Sequence, residues 1–195
     1  MGQNIDLAAI IVVTRRVAGG PDHRGGVSSW AQILRDVRRL LHDTAAVAVT
    51  TMLDYYALPN DVPGMSTRPQ GNAIERVEAV EAAIDANVGD TRFRSYLALH
   101  EFEALLYSDP AACGAYLSSP ALSAALSKAI AECGGPEHVN DSPAGAPSKR
   151  IRAAHPPYQK VLHGPLIADK IGLASIRGEC PHFDSWLSWL ESFGS

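Results

Sequence analysis

YLALHEFEALLYSDP, residues 96–110, begins as an apolar run and turns, at His100-Glu101-Phe102-Glu103, into one imidazole and two carboxylates. A second apolar pair, Leu105-Leu106, follows at once. How this stretch is read decides the fold. If it ends a buried strand, its polar residues stand where open α/β sheets collect their functional groups. Otherwise they are the polar rim of a strand, or the cap of the next helix.

The flanking sequence favours a strand. RFRSYLALH (92–100) is preceded by two further β-rich runs, AVAVTTML (46–53), which ends at Asp54, and LAAIIVVT (7–14). Continuous β-branched runs of this kind mark strands covered on both faces. AGGPDHRGG (18–26) breaks the pattern as a loop, and Ser28 or Ser29 can cap the next element. Trp30, Ile33, Leu34, Val37, Leu40 and Leu41 then recur at helical spacing over 29–42. Residues 57–73, with three prolines and two glycines, read as a long loop. Ile74, Val77, Val80, Ile84 and Val88 mark a second helix. The order β-α-β-loop-α-β predicts a parallel sheet with right-handed crossovers.

The second half changes character. Helical patterns at about 109–117 and 120–132 lead into the loop GGPEHVNDSPAGAPSKR (134–150). A final helix carries Phe183, Trp186, Leu187, Leu190 and Phe193 on one face. The expected architecture is α/β, a mostly parallel sheet flanked by helices, with a helical C-terminal half. Residues 1–108 would form the core, and 109–195 a helical extension packed on it.

With 195 residues, 46% hydrophobic and 19% charged, the chain suits one well-buried core. A net charge of −4 argues against gripping nucleic acid by bulk electrostatics, though not against a local basic strip. Cys113, Cys133 and Cys180 are odd in number and widely spaced, as for reduced thiols. No apolar run is long enough to span a membrane and no signal sequence is legible, so a cytoplasmic location is expected.

Asp54, Glu101 and Glu103 are hard oxygen donors of the kind that suits Mg2+ or Mn2+. In an extended chain Glu101 and Glu103 point to one face; if helix begins at Glu101 they diverge. Tyr55-Tyr56 either stack on a base or pack at a strand end. Arg35, Arg38, Arg39 and His42 on the first helix, with Arg15-Arg16, form either a phosphate-tracking strip or a solvated face. Ser148-Lys149-Arg150, with Lys160 and His163, brings cations that either hold a phosphodiester or face a partner. Cys180-Pro181-His182 lacks a second pair at zinc spacing, and His182 is expected to pack or cap at the last helix. No nucleophile-elbow or P-loop motif occurs.

The blocks RGGVSSW (24–30), VTTMLDYYALPNDVPG (49–64), ERVEAVEAAI (75–84), YLALHEFEALLYSDP (96–110), PEHVNDSPAGAPSKRI (136–151), YQKVLHGPLIADKIGL (158–173) and CPHFDSWL (180–187) resemble a bacterial family, domain-of-unknown-function family 4276. That family is regarded as Toprim-like. The resemblance implies a Toprim-like α/β fold and a Mg2+- or Mn2+-dependent nuclease or other phosphodiester-handling domain, in a phage-defence or mobile-element setting. Asp54 matches the first aspartate of the Toprim Asp-x-Asp pair, and Tyr56 stands in place of the second. Glu101 and Glu103 would complete the metal ligands, and Lys149, Arg150 and Lys160 would steady phosphate. Nucleic acid and an AAA- or ABC-type ATPase are the implied partners. The family's usual N-terminal strand with a Glu-Gly-x-x-Glu segment does not precede LAAIIVVT here. An exposed sheet edge and a homodimer are therefore expected. The same gap supports the alternative of a catalytically inactive module docked on an ATPase.

Overall fold

The computed structural model describes residues 6–9, 29–139 and 145–194. Residues 10–14 of the expected first strand, Arg15-Arg16 and the loop 18–26 lie outside them; residues 7–9 take no regular structure. The architecture is α/β with a helical C-terminal half, and among the described residues two small sheets supply the strands. The chain divides into two compact units, Met1–Leu97 with Ser188–Ser195, and Ala98–Leu187. The division expected after residue 108 falls inside the second unit.

In the first unit, helix α1 (Trp30–Leu41) packs on strand β1 (Val49–Thr50), and α2 (Ala73–Val88) packs on β3 (Phe93–Arg94). β1 and β3 pair in parallel, Val49 opposite Phe93, as a connection through a helix requires. Ser29 stands at the N-cap of α1 but makes no side-chain cap bond. The Trp30 amide instead donates to Asp61 Oδ2 at 3.0 Å, from the loop 57–73, and the Trp30 indole donates to Asn87 at 3.0 Å. That loop is partly buried, with Val62 and Met65 in the core. α2 opens with a reciprocal capping box between Asn72 and Glu75 and closes at Gly89, whose φ of 69° favours glycine.

The sequence predicts unbroken strands over 46–53 and 92–100. Each is split in two, with β2 at Leu53–Asp54 and β4 at Leu97–Ala98. The reason is competition for the backbone. The Ser95 amide donates to Asp85 Oδ1 at 2.7 Å and the Leu97 amide to Glu81 Oε1 at 2.7 Å. The Tyr96 amide donates to the Thr51 hydroxyl at 3.3 Å. Side-chain acceptors thus satisfy amides that a longer ladder would have used.

The second unit is helical. Asp109 and Ser119 cap α3 (Pro110–Tyr116) and α4 (Pro120–Cys133), each with proline at the first helical position. The turn Pro136–His138 leads to α5 (Pro147–Ala154), which begins inside the expected loop 134–150. α6 (Lys160–Ile171), α7 (Leu173–Glu179) and α8 (Pro181–Glu191) follow. Phe193 falls beyond α8, in the turn Ser192–Gly194. HEFEALLYS is the hub of this unit. After β4 the chain bends at Leu99-His100 and winds into a 3-10 segment, Phe102–Ser108, on which α3, α4, α5, α6 and α7 all pack. Leu106 and Tyr107 are fully buried there. No helix among the described residues is long and apolar enough to cross a membrane.

Leu106→Ala should therefore destabilise the protein by about 3 kcal/mol in urea unfolding followed by circular dichroism. A loss below about 1 kcal/mol would contradict the hub position.

Candidate functional site

The break between extended chain and 3-10 turn falls between the two glutamates. Glu101 is extended, with φ −145° and ψ 159°, and Phe102 starts the turn. The alternatives left open by spacing were one shared face or divergence. In the structure both carboxylates meet one cation. Lys160 Nζ lies 2.8 Å from Glu101 Oε1 and 3.2 Å from Glu103 Oε2. Each glutamate side chain is only 5% exposed, whereas that of Lys160 is 36% exposed. A buried pair of anions thus meets a cation that reaches solvent.

Three neighbouring groups complete the arrangement. The Ser148 amide, in the first turn of α5, donates to Glu101 Oε2 at 3.0 Å. A carboxylate at a helix N-terminus satisfies an orphan amide and meets the positive end of the dipole. The Tyr158 hydroxyl donates a long 3.4 Å bond to Glu103 Oε1. Phe102 and the Tyr158 hydroxyl pack beside Gly164 of α6, where an added Cβ would stand in ordinary contact, 3.4 Å from each. The Tyr107 hydroxyl donates to the Pro147 carbonyl at 3.0 Å, anchoring the start of α5 to the hub.

The charges respond to this environment. Burial pushes Glu101 up, but the hydrogen bonds from Lys160 and Ser148 outweigh it and hold the carboxyl below its ordinary value. Burial pulls Lys160 down, but the hydrogen bond to Glu101 and the charge of Glu103 outweigh it and hold the ammonium above its ordinary value. Burial and then the Glu103 charge push Tyr158 well up, so it stays a neutral donor.

Of the residues expected from sequence, the structure brings together Glu101, Glu103 and Lys160. Asp54 belongs to the first unit, at the end of β2. Lys149 is exposed on α5, and Arg150 donates through Nε to the Gly145 carbonyl at 2.9 Å. His163 Nδ1 accepts the Gln159 amide at 2.9 Å, at the start of α6, and its ring lies 5.8 Å from that of Tyr158. Among the described residues, no group of three or more His, Cys, Asp or Glu side chains gathers as a ligand set. Tyr56 is 53% exposed, on the turn that follows Asp54.

Sequence reasoning missed Tyr158 and Glu137. Tyr158 lies two residues before Lys160, a spacing without a motif. Glu137 is buried and accepts the His182 and Phe183 amides at 3.1 and 3.0 Å, so it caps the start of the last helix, where His182 was expected to pack or cap. Cys180 is fully buried beside Ser108, and burial pushes its thiol up to about 12. That keeps it protonated and a poor ligand.

Glu101→Gln should cost about 2 kcal/mol, less than a fully buried pair because Lys160 reaches water. Glu101 sits below its ordinary value, so its contribution is whole above the ordinary carboxylate range and is lost as pH falls through the folded value. Lys160 sits above its ordinary value, so its contribution is whole below the lysine range and lost as pH rises through the folded value. Melting temperature against pH should show wild type losing its lead over Glu101→Gln towards acid. A constant gap from neutral pH to pH 3 would refute the clamp.

The sequence matches the family described as domain of unknown function (DUF4276) over residues 3–191. No curated protein and no solved structure matches the chain. The match takes in HEFEALL, the Ser148 amide and Lys160 alike, and by it the protein belongs to the DUF4276 family.

Proposed function

We propose that the chain is a Toprim-like, Mg2+- or Mn2+-dependent domain that cleaves or otherwise handles phosphodiesters. The observation that carries this reading is the convergence of two buried carboxylates on a single cation. Mg2+ is commonly held by one or two carboxylates, with water and substrate phosphate filling the other positions, so a pair of glutamates is a sufficient protein contribution. The donor set fits a hard divalent cation, and the Lys160 ammonium already stands in for one. Glu101 and Glu103 would hold the metal, which would there neutralise charge developing on a phosphoryl oxygen.

The remaining work falls to this chain's own groups. The Ser148 amide and Tyr158 hydroxyl keep the two carboxylates oriented. Lys160 stabilises them while no other cation is present. Its partly exposed side chain gives it room to turn outward and offer N–H donors to a phosphate. Lys149 and Arg150, on the helix that begins beside Glu101, add positive charge nearby in the chain. The free cysteines suit a cytoplasmic location. A phage-defence or mobile-element setting with an ATPase partner follows from the family resemblance.

One observation favours a second reading, an inactive module that docks on that ATPase. Val161, Leu162 and Leu166 of α6 are 92%, 53% and 46% exposed, and apolar side chains this exposed suit a protein partner.

Calorimetry separates the two. The Mn2+ affinity of Lys160→Met should exceed that of wild type at least about tenfold, because removing the competing charge leaves two buried anions. The double variant Glu101→Gln/Glu103→Gln should bind no Mn2+. Wild type should nick plasmid or single-stranded DNA with Mn2+. If neither wild type nor Lys160→Met binds Mn2+, the metal reading is wrong and the docking module stands.

A further inference from the structure

α1 carries two stripes. Trp30, Ile33 and Val37 form the buried one. Ala31, Leu34, Arg35, Arg38, Arg39 and His42 form the other, at the i, i+3, i+4, i+7, i+8, i+11 spacing of one continuous helix face. On most surface helices such spacing belongs to apolar residues. Here it carries three guanidiniums and an imidazole over an Ala and Leu floor. Among the described residues, these six line a groove of about 480 Å3 that includes no carboxylate. Arg35, Arg38, Arg39 and His42 are all exposed.

A solvated face explains this less well. The helix dipole favours Arg38 and Arg39, which stand in the last turn. It does not account for Arg35, which lies a turn earlier. The acid on α1, Asp36, lies 3.9 Å from Arg35 in a solvent-exposed pair, which contributes little. α1 thus has three arginines against one aspartate in a chain whose net charge is −4.

We infer that this α1 face is a track for the sugar-phosphate backbone of a nucleic acid. Guanidinium forks match phosphate oxygens in pairs, and the apolar floor suits the sugars between them. From Ala31 to His42 the stripe runs about 16 Å at 1.5 Å per residue. Measured along the axis of a duplex, that length spans about five charges of one strand. Such a surface reads charge and not base sequence. The inference deepens the proposed phosphodiester chemistry by naming the surface that holds the polymer, and it rests on that reading for its biological sense. Its test does not involve the carboxylate pair.

The test is fluorescence anisotropy of fluorescein-labelled single-stranded and duplex 20-mers, in EDTA, from 50 to 200 mM NaCl. Wild type should bind with a salt slope that drops by about 2 on single strands and about 3 on duplex in the triple variant Arg35→Gln/Arg38→Gln/Arg39→Gln. Affinity at 50 mM salt should fall at least about tenfold with it. The triple Arg→Lys variant should keep most of the slope. Circular dichroism verifies that α1 persists; if the triple variant does not fold, Arg35→Gln alone should lower the slope by about 1. No DNA binding by wild type, or an unchanged slope in the Gln variants, overturns the track without touching the metal experiment. Equal competition by polyglutamate or by anionic phospholipid vesicles also overturns it, in favour of a protein or membrane partner. A metal-binding failure with the slope intact would sink the proposed chemistry and leave the track.

Discussion

Two like charges, two residues apart in the chain, are buried in the hub of the helical unit, and one ammonium holds them there. Most of that unit's geometry answers to this constraint. Burying a carboxylate is tolerable only when a counter-charge and hydrogen bonds replace the water it loses. Lys160 must therefore begin α6 where it can touch both glutamates, and α5 must begin where its Ser148 amide faces Glu101. The Tyr107 bond to the Pro147 carbonyl ties the start of α5 to the hub. Helices far apart in sequence are fixed by the needs of one tripeptide.

α1 to α4 and the last helix were legible from local patterns, whereas α5, α6 and α7 were not read as helices. Asn72 with Glu75, Asp109 with Pro110, and Ser119 with Pro120 are signals confined to one turn, and each bounds a helix in the structure. The apolar periodicity of α1 and α2 was equally local. The strands were harder to read. A β-branched run announced the strand at 46–53 and an apolar, aromatic one that at 92–100, but their interruption depends on Thr51, Glu81 and Asp85, whose competition for backbone amides leaves no mark on periodicity.

The site was half legible. Glu101 and Glu103 drew notice as acids behind an apolar run, and Lys160 as a cation without an evident structural task. Their meeting was not readable, because it depends on a change from extended to 3-10 backbone between residues 101 and 102 and on a contact across 59 positions. The Ser148 contribution comes from a main-chain amide, which no side-chain pattern can advertise.

The two acids of α2 have a further consequence for the sheet. Glu81 and Asp85 stand one helical turn apart, about 6 Å, and the amides of Ser95 and Leu97 stand two strand residues apart, about 6.7 Å. The near match of these repeats lets one helix answer alternate amides of one strand margin. A strand margin whose donors are already taken is a poor template for another chain. Asp85 bears the cost, since burial raises its carboxyl despite the bonds from Ser95. Along this margin, a pair of acidic side chains does the guarding that larger sheets assign to an added strand, a bulge or a proline.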